Sequence, residues 1–254
     1  MALDERHRAY ANSFGAVADV YERGRPPYPP EAIDWLVPAD ATRVADVGAG
    51  TGKLTRQLRE RGLDVIAVEP SAGMREQLRR TVPGVPVLGG TAEQIPLADH
   101  SVDAVLVAQA WHWIDPERAV PEAARVLAPG GRLGLLWNRR VEDEDWVAEL
   151  STIMGSRGTP GSARHFPDFG PPFGPVERRS VEWLHRLSRA EMTDWVASRS
   201  YVITLPEAQR RSVLGQVRTL LDTHPALAAG DEIALRMVTR CSRADRPAEP
   251  ALTR

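Results

Sequence analysis

Five short runs rich in valine and leucine, at 44–47, 65–68, 85–88, 102–107 and 133–137, punctuate the first half of the chain. They lack strict apolar–polar alternation, so they suit strands of a parallel sheet covered on both faces. Between them, 54–61, 71–81 and 116–127 carry helical spacing, with Ser71 placed as an N-cap and Pro129-Gly130-Gly131 stopping the last helix before the fifth strand. Strand–helix repeats of this kind close by right-handed crossovers into a doubly wound α/β sheet.

The first such unit carries the chemistry. Val44-Ala-Asp-Val-Gly-Ala-Gly-Thr-Gly-Lys-Leu-Thr55 runs from strand to helix through glycines at 48, 50 and 52. Glycines there let the backbone turn sharply and approach a ligand, with helix amides facing it. A dinucleotide fingerprint would need a third glycine where Lys53 stands. A phosphate loop would need a glycine at Val47 and a hydroxyl at Leu54. Both patterns fail, and D-x-G-x-G-x-G remains. The second strand ends in Glu69, read as a carboxylate that accepts both hydroxyls of a ribose, with an idle exposed glutamate as the lesser alternative given the glycine turn upstream. Asp103, opening the fourth strand, suits capping of a loop.

After the fourth strand comes Ala108-Gln-Ala-Trp-His-Trp-Ile-Asp115, and before the fifth Leu127-Ala-Pro-Gly-Gly-Arg-Leu133. Together with the glycine turn, Glu69 and the N-terminal pattern Phe14-x-x-x-Ala-x-x-Tyr21-x-x-x-Arg25-Pro-x-Tyr28-Pro29, these motifs resemble class I S-adenosylmethionine-dependent methyltransferases. They are most similar to the small-molecule branch of trans-aconitate methyltransferase-like enzymes. The resemblance is most specific from Phe14 to Trp137 and looser to about Arg240. It implies a Rossmann-like fold, S-adenosylmethionine as methyl donor and S-adenosylhomocysteine as product. It also implies that Asp46, Gly48, Ala49 and Gly50 hold the cofactor, with Pro70 and Met74 near the adenine, Ala92 and Glu93 supplying an amide and an acid to it, and Gln109 and Trp111 completing the loop. Position 109 onward is not the N-P-P-[YF] stretch of the adenine or glutamine N-methyltransferases. His112 and Asp115 are too few for a metal site, so no metal is expected.

Transfer from a sulfonium needs orientation above all, and a base only when the acceptor must lose a proton. His112 is the candidate base, against a plainer role as a histidine bonded to backbone. Trp111 and Trp113 flank it as core or as an aromatic wall, one facing each way. Tyr21, Arg25 and Tyr28 offer a guanidinium and phenols to the methionyl carboxylate, or pack the N-terminal helix; Tyr28 is also placed toward the acceptor. Arg139 and Arg140, past the fifth strand, suit an anionic acceptor as well as plain solvent exposure.

The rest of the chain frames this core. Residues 1–40 read as a helical cap, 41–140 as the cofactor-binding core, 141–242 as a C-terminal part of the same domain, and 243–254 as a flexible tail. The last contains two prolines and no periodicity. Helices are expected at 143–154, from the capping box Ser188–Glu191, and after Pro206, with antiparallel strands at 176–184 and 232–240. The loop 155–175 holds Phe166, Phe169 and Phe173, three of the four phenylalanines. It reads either as a surface loop pinned by its aromatics or as a lid that places Phe166 and Phe169 on the substrate.

Composition removes other classes. The 254 residues carry a net charge of −2, with arginines interleaved with acids rather than gathered into a basic face. Nucleic acid is therefore not the expected partner. No apolar run suits a membrane span or a secretory signal, and the single cysteine, Cys241, allows no internal disulfide. The expectation is a cytoplasmic enzyme methylating an O or N of a small metabolite, its oligomeric state open. An NAD-dependent oxidoreductase and a non-catalytic cofactor-binding module are the rival readings.

Overall fold

The computed structural model describes residues 22, 24–155, 168–227 and 230–248. The chain enters through α1 (Pro30–Leu36) and builds β1 (Arg43–Val47), α2 (Lys53–Arg59), β2 (Asp64–Val68), α3 (Ala72–Thr81), β3 (Val87–Leu88), β4 (Val102–Ala108), α4 (Pro116–Val126) and β5 (Leu127–Arg140). There follow α5 (Asp145–Ile153), β6 (Glu177–Ser188), α6 (Arg189–Ala197), α7 (Ser200–Ile203), α8 (Glu207–Thr223) and β7 (Glu232–Asp245). The strands form one sheet in the order β3-β2-β1-β4-β5-β7-β6. β1 to β5 run parallel, while β7 joins β5 and β6 joins β7 antiparallel. This is the doubly wound, mostly parallel sheet with an antiparallel extension that the periodicity implied.

The unalternating strands are explained by their packing. Successive side chains leave opposite faces of a strand. In β4, Ala104 and Leu106 join α1 and α2 on one face, whereas Val105 and Val107 join α4 on the other. Both faces are covered, so both must be apolar. A third cluster, centred on Trp195, Met192 and Leu220, packs α5, α6 and α8 against β6 and β7. The Ser71 cap and the Ser188–Glu191 capping box both form.

Three boundaries differ from expectation. The third strand pairs only over Val87–Leu88. β5 is assigned from Leu127, because Val102 pairs with Leu127 before the register slips and resumes at Ala104 opposite Arg132. Pro129-Gly130-Gly131 is thus an irregularity within the strand rather than its border. β7 runs to Asp245, so residues 243–245 belong to the sheet and not to a tail. Asp245 accepts a forked contact from Arg132 at 2.6 and 3.1 Å, and Arg246 donates to the carbonyls of Ala124 and Leu127. These long-range pairs hold a charged segment that carries no local signal. Among the described residues no helix is long and apolar enough to cross a membrane.

Candidate active site

The site lies where β1 and β4 end and their connections diverge, the usual crevice of an open α/β sheet. Gly48 sits at φ 72°, and a Cβ there would stand 2.8 Å from the Ala110 Cβ. Only glycine lets the turn after β1 pass that close to the loop after β4. The amides of Gly48 and Ala49 both bond the carbonyl of Val68, fastening the turn to the end of β2.

At that end Glu69 is 7% exposed. Its Oε2 accepts from the Gly50 amide and its Oε1 from the Ser71 amide, each at 2.9 Å. Burial raises its pKa, while the two amides and Arg75 act in the opposite direction. The carboxylate is therefore aimed by two turns at once, and each oxygen keeps lone-pair capacity for a hydroxyl. It is not an idle surface acid.

Asp46, one turn upstream, is fully buried, and its Oδ2 accepts from the Thr55 hydroxyl at 2.6 Å. Its Oδ1 has no hydrogen-bond partner among the described residues. Burial, reinforced by the charge of Glu69, pushes its pKa up to about 7 against the Thr55 bond. A buried acid with a vacant acceptor is completed by a cationic donor. Asp46 lines a cleft closed on the other side by Arg25, Pro26 and Tyr28. Two carboxylates on one glycine turn suit a ligand with a vicinal diol and an ammonium group, both of which S-adenosylmethionine carries.

Of the residues expected near an adenine, Ala92 and Met74 are buried, Met74 as part of the core, whereas Pro70 is exposed. Glu93 accepts from the Asp115 amide at 2.9 Å, and Asp115 in turn caps α4. Gln109, at φ 59°, bonds the Asn138 carbonyl and reaches the cleft. Trp111 is buried and meets Phe169 edge-on at 6.0 Å, while Trp113 is exposed, so the two indoles face opposite ways.

His112 lies between them, its ring 4.6 Å from that of Trp113. His112 is exposed, and crowding by the surrounding protein and then the Arg25 guanidinium push its pKa down, to about 4. This favours the neutral imidazole near pH 7, the form that can accept a proton, though a weakly basic one. At saturating cofactor the methyl-transfer rate should stay flat from about pH 6 to 8 and decline only toward about pH 4, where the ring becomes charged. His112→Ala should reduce kcat by less than about tenfold, against the 10²–10⁴ of a working base. A pH–rate profile of parent and variant checks both.

Other expectations are redirected. Phe169 packs on Trp111 and Phe173 inside the core cluster, so it supports the loop rather than facing a substrate. Its neighbour Phe173 is equally buried, and residues 168–175 read as a pinned connection. Tyr28 is buried among α1 and α2 side chains at the cleft wall. Arg140 donates to the Ser151 hydroxyl and pairs with Glu142 at 2.8 Å, leaving it unsuited to an acceptor. Arg139 differs. It is half-buried, has no hydrogen bond or ion pair among the described residues, and burial together with Arg240 and Arg140 pushes its pKa down. Tyr21 and Phe166 lie outside the described residues.

Several contributors went unnoticed in the sequence. Asn138 donates to the Pro27 carbonyl at 2.8 Å and accepts from Thr239, whose hydroxyl accepts from the Trp183 indole at 2.9 Å. This buried chain ties the entry segment to β5, β7 and β6. An asparagine closing the apolar run Leu135-Leu-Trp137 was the available signal. His185, on β6 beside Trp183, is likewise held neutral by burial, Arg199 and Lys53, its pKa pushed down to about 4. Among the described residues no three His, Cys, Asp or Glu side chains gather closely enough to hold a metal ion.

A methyltransferase-domain family model matches residues 45–135. An uncharacterized methyltransferase of Mycobacterium tuberculosis is 58% identical over 232 residues, covering 91% of this chain and 95% of its own. A methyltransferase-like protein of Schizosaccharomyces pombe is 34% identical, with coverage of 92% and 94%. Among solved structures, a candidate type II methyltransferase from Anaeromyxobacter dehalogenans superposes with a TM-score of 0.62 at 26% identity, over 87% of this chain and 97% of that one.

Proposed function

Because the chain belongs to the class I S-adenosylmethionine-dependent methyltransferases, we propose that it methylates a carboxylate oxygen of a small organic acid. The observation that carries this reading is Arg139, a half-buried guanidinium at the carboxyl end of β5 without a partner among the described residues. A half-buried cation packed near Arg140 and Arg240, with Glu142 as its only counteracting charge among the causes of its shift, favours an anion beside it. The neutral, weakly basic His112 supports the same choice, since a carboxylate needs no proton removed before attack.

The donor, when bound, supplies a methyl group already activated by its sulfonium. The chain's own work is then placement. Glu69 receives the ribose hydroxyls, Asp46 the ammonium, and Arg25 the methionyl carboxylate, while Ala92 and Glu93 border the adenine. Gln109 and Trp111 hold the loop after β4 against the cleft, and Trp113 and His112 border the acceptor, His112 as a neutral hydrogen-bonding group. Arg139 fixes a second carboxylate of the acceptor, so that the attacking oxygen is aligned with the departing sulfur. Orientation of this kind lowers a barrier by on the order of 7–11 kcal/mol in favourable cases.

Arg139→Ala should raise the KM for an acidic acceptor by about tenfold while kcat at saturation changes little, the signature of a binding contact present in ground and transition states alike. Arg139→Lys should recover part of that loss. An unchanged KM for every acidic acceptor that the parent methylates would remove the anionic class from the proposal.

A further inference from the structure

The two edges of the sheet are unlike. At one end β3 offers only Val87–Leu88, too short to template a further strand. At the other end β6 runs for 12 residues, Glu177–Ser188, contains no proline and pairs with β7 along its whole length. Among the described residues no strand lies on its outer side, so a long row of backbone donors and acceptors faces outward. Near the middle of that edge stands Leu184, 50% exposed. Among the described residues the other exposed large apolar side chain is Trp113, which lies beside His112 at the loop after β4. Alternation along the strand puts Ser180, Glu182, Leu184 and Arg186 on one face of β6. Val181, Trp183, His185 and Leu187 take the other face, where Trp183 and Leu187 join the cluster around Trp195.

A second copy of the same strand complements this edge. Two antiparallel copies related by a two-fold axis through Leu184, normal to the sheet, keep like faces together. Leu184 then meets Leu184, and Glu182 of each copy meets Arg186 of the other. Ser180 meets Ser188, while on the opposite face Val181 meets Leu187 and Trp183 meets His185. Neighbouring registers are worse. An axis on Trp183 or His185 sets Leu184 against Glu182 or Arg186 respectively, and an axis on Glu182 sets acid on acid and Arg178 on Arg186. An axis on Ser180 does oppose Arg178 to Glu182, but it pairs only the first part of the strand and leaves Leu184 outside the ladder. Glu182 and Arg186 are exposed, and their contacts with Arg236 and Glu232 of β7 are surface pairs that a second partner can share. Charges on an edge deter unrelated strands, and here the same charges select one partner and one register. We propose that the chain forms a homodimer by antiparallel pairing of β6 about Leu184, which continues the sheet from one copy into the other.

Sedimentation velocity of the full chain over a concentration series reads the association. The mass should rise from that of one chain toward that of two, with a Kd on the order of micromolar, as suits a small and partly polar interface. Leu184→Lys should raise the Kd at least about tenfold, since two ammonium groups then face each other at the axis. Glu182→Arg and Arg186→Glu should each raise it by about tenfold, because either reversal turns both cross-strand pairs into like charges. Mixed in equal amounts, those two variants should associate about as well as the parent, since every arginine at these positions then meets a glutamate. A single chain carrying both reversals should do the same. A parent that stays monomeric at about 1 mM would overturn the proposal. So would a dimer that none of the three substitutions weakens, or reversal variants that do not recover on mixing. A dimer weakened by Glu182→Arg but indifferent to Arg186→Glu would place the axis on Ser180 and overturn the register. Thermal melting of each variant identifies misfolding, and misfolded chains would not regain association when mixed.

Discussion

Glu69→Ala is expected to weaken S-adenosylmethionine binding by roughly 10- to 100-fold, measured by calorimetry. The carboxylate is buried at the end of β2 and is aimed by the amides of Gly50 and Ser71. Removing a charged acceptor from a buried hydroxyl contact costs about 1.5–3 kcal/mol, and each 1.4 kcal/mol is tenfold in affinity. Alanine also strands two backbone donors, so part of the loss would be structural. An analogue lacking one ribose hydroxyl separates the two parts. The parent should bind it about tenfold more weakly than S-adenosylmethionine, whereas Glu69→Ala should barely distinguish them, a coupling that a purely structural role would not produce. Equal discrimination in both proteins would remove Glu69 from the ribose.

Asp46 should make cofactor affinity depend on pH in a defined direction. Burial pushes its pKa up to about 7, and its Oδ1 lacks a partner among the described residues. A bound ammonium group favours the ionised form, so affinity should be full above about pH 7. It should fall by up to about tenfold per unit below that, giving as much as a 100-fold loss near pH 5. The stability linkage has the opposite sign in the free protein. A carboxyl whose folded pKa is raised stabilises the fold below its ordinary value of 3.8, and that contribution disappears as pH rises through about 7. The gain in Tm on adding S-adenosylmethionine should therefore be larger at pH 8 than at pH 5. Asp46→Asn should bind at least about tenfold more weakly at pH 8 and show a nearly flat pH dependence. A parent affinity that does not change between pH 5 and 8 would mean that the vacant oxygen does not meet the cofactor's cation.

What could be read in the sequence was local. The strand–glycine–helix unit at 44–55 and the acid closing β2 each declare themselves within a dozen residues, because backbone turn and ligand contact share one short segment. The unalternating strands revealed a sheet covered on both faces for the same reason. What escaped notice depends on residues far apart in the chain. Glu22 meets Thr51 and Lys53, and Asn138 meets Pro27 and Thr239, all far away in the chain. His112 sits in a loop that suggests a base, while the lowering of its pKa by the surrounding protein and by Arg25 depends on residues distant in sequence. Phe169 reads as a lid residue by composition, yet Trp111 and Phe173 draw it into the core. The three closing residues of β7 have no periodicity of their own and follow the register set by β5. Local pattern thus pointed to the glycine turn and Glu69, while the contacts around the loop after β4 are made across the sheet.

Transfer of label from methyl-labelled S-adenosylmethionine into size-fractionated bacterial extract tests the proposed activity most directly. The purified chain should place label in the fraction below about 1 kDa, on compounds that bound an anion exchanger before reaction and carry one negative charge fewer afterwards, since esterification neutralises a carboxylate. That label should be released as methanol by mild base, as methyl esters are. Label confined to protein or nucleic acid, or stable to base on a product of unchanged charge, would contradict the assignment of a small acid as the methyl acceptor.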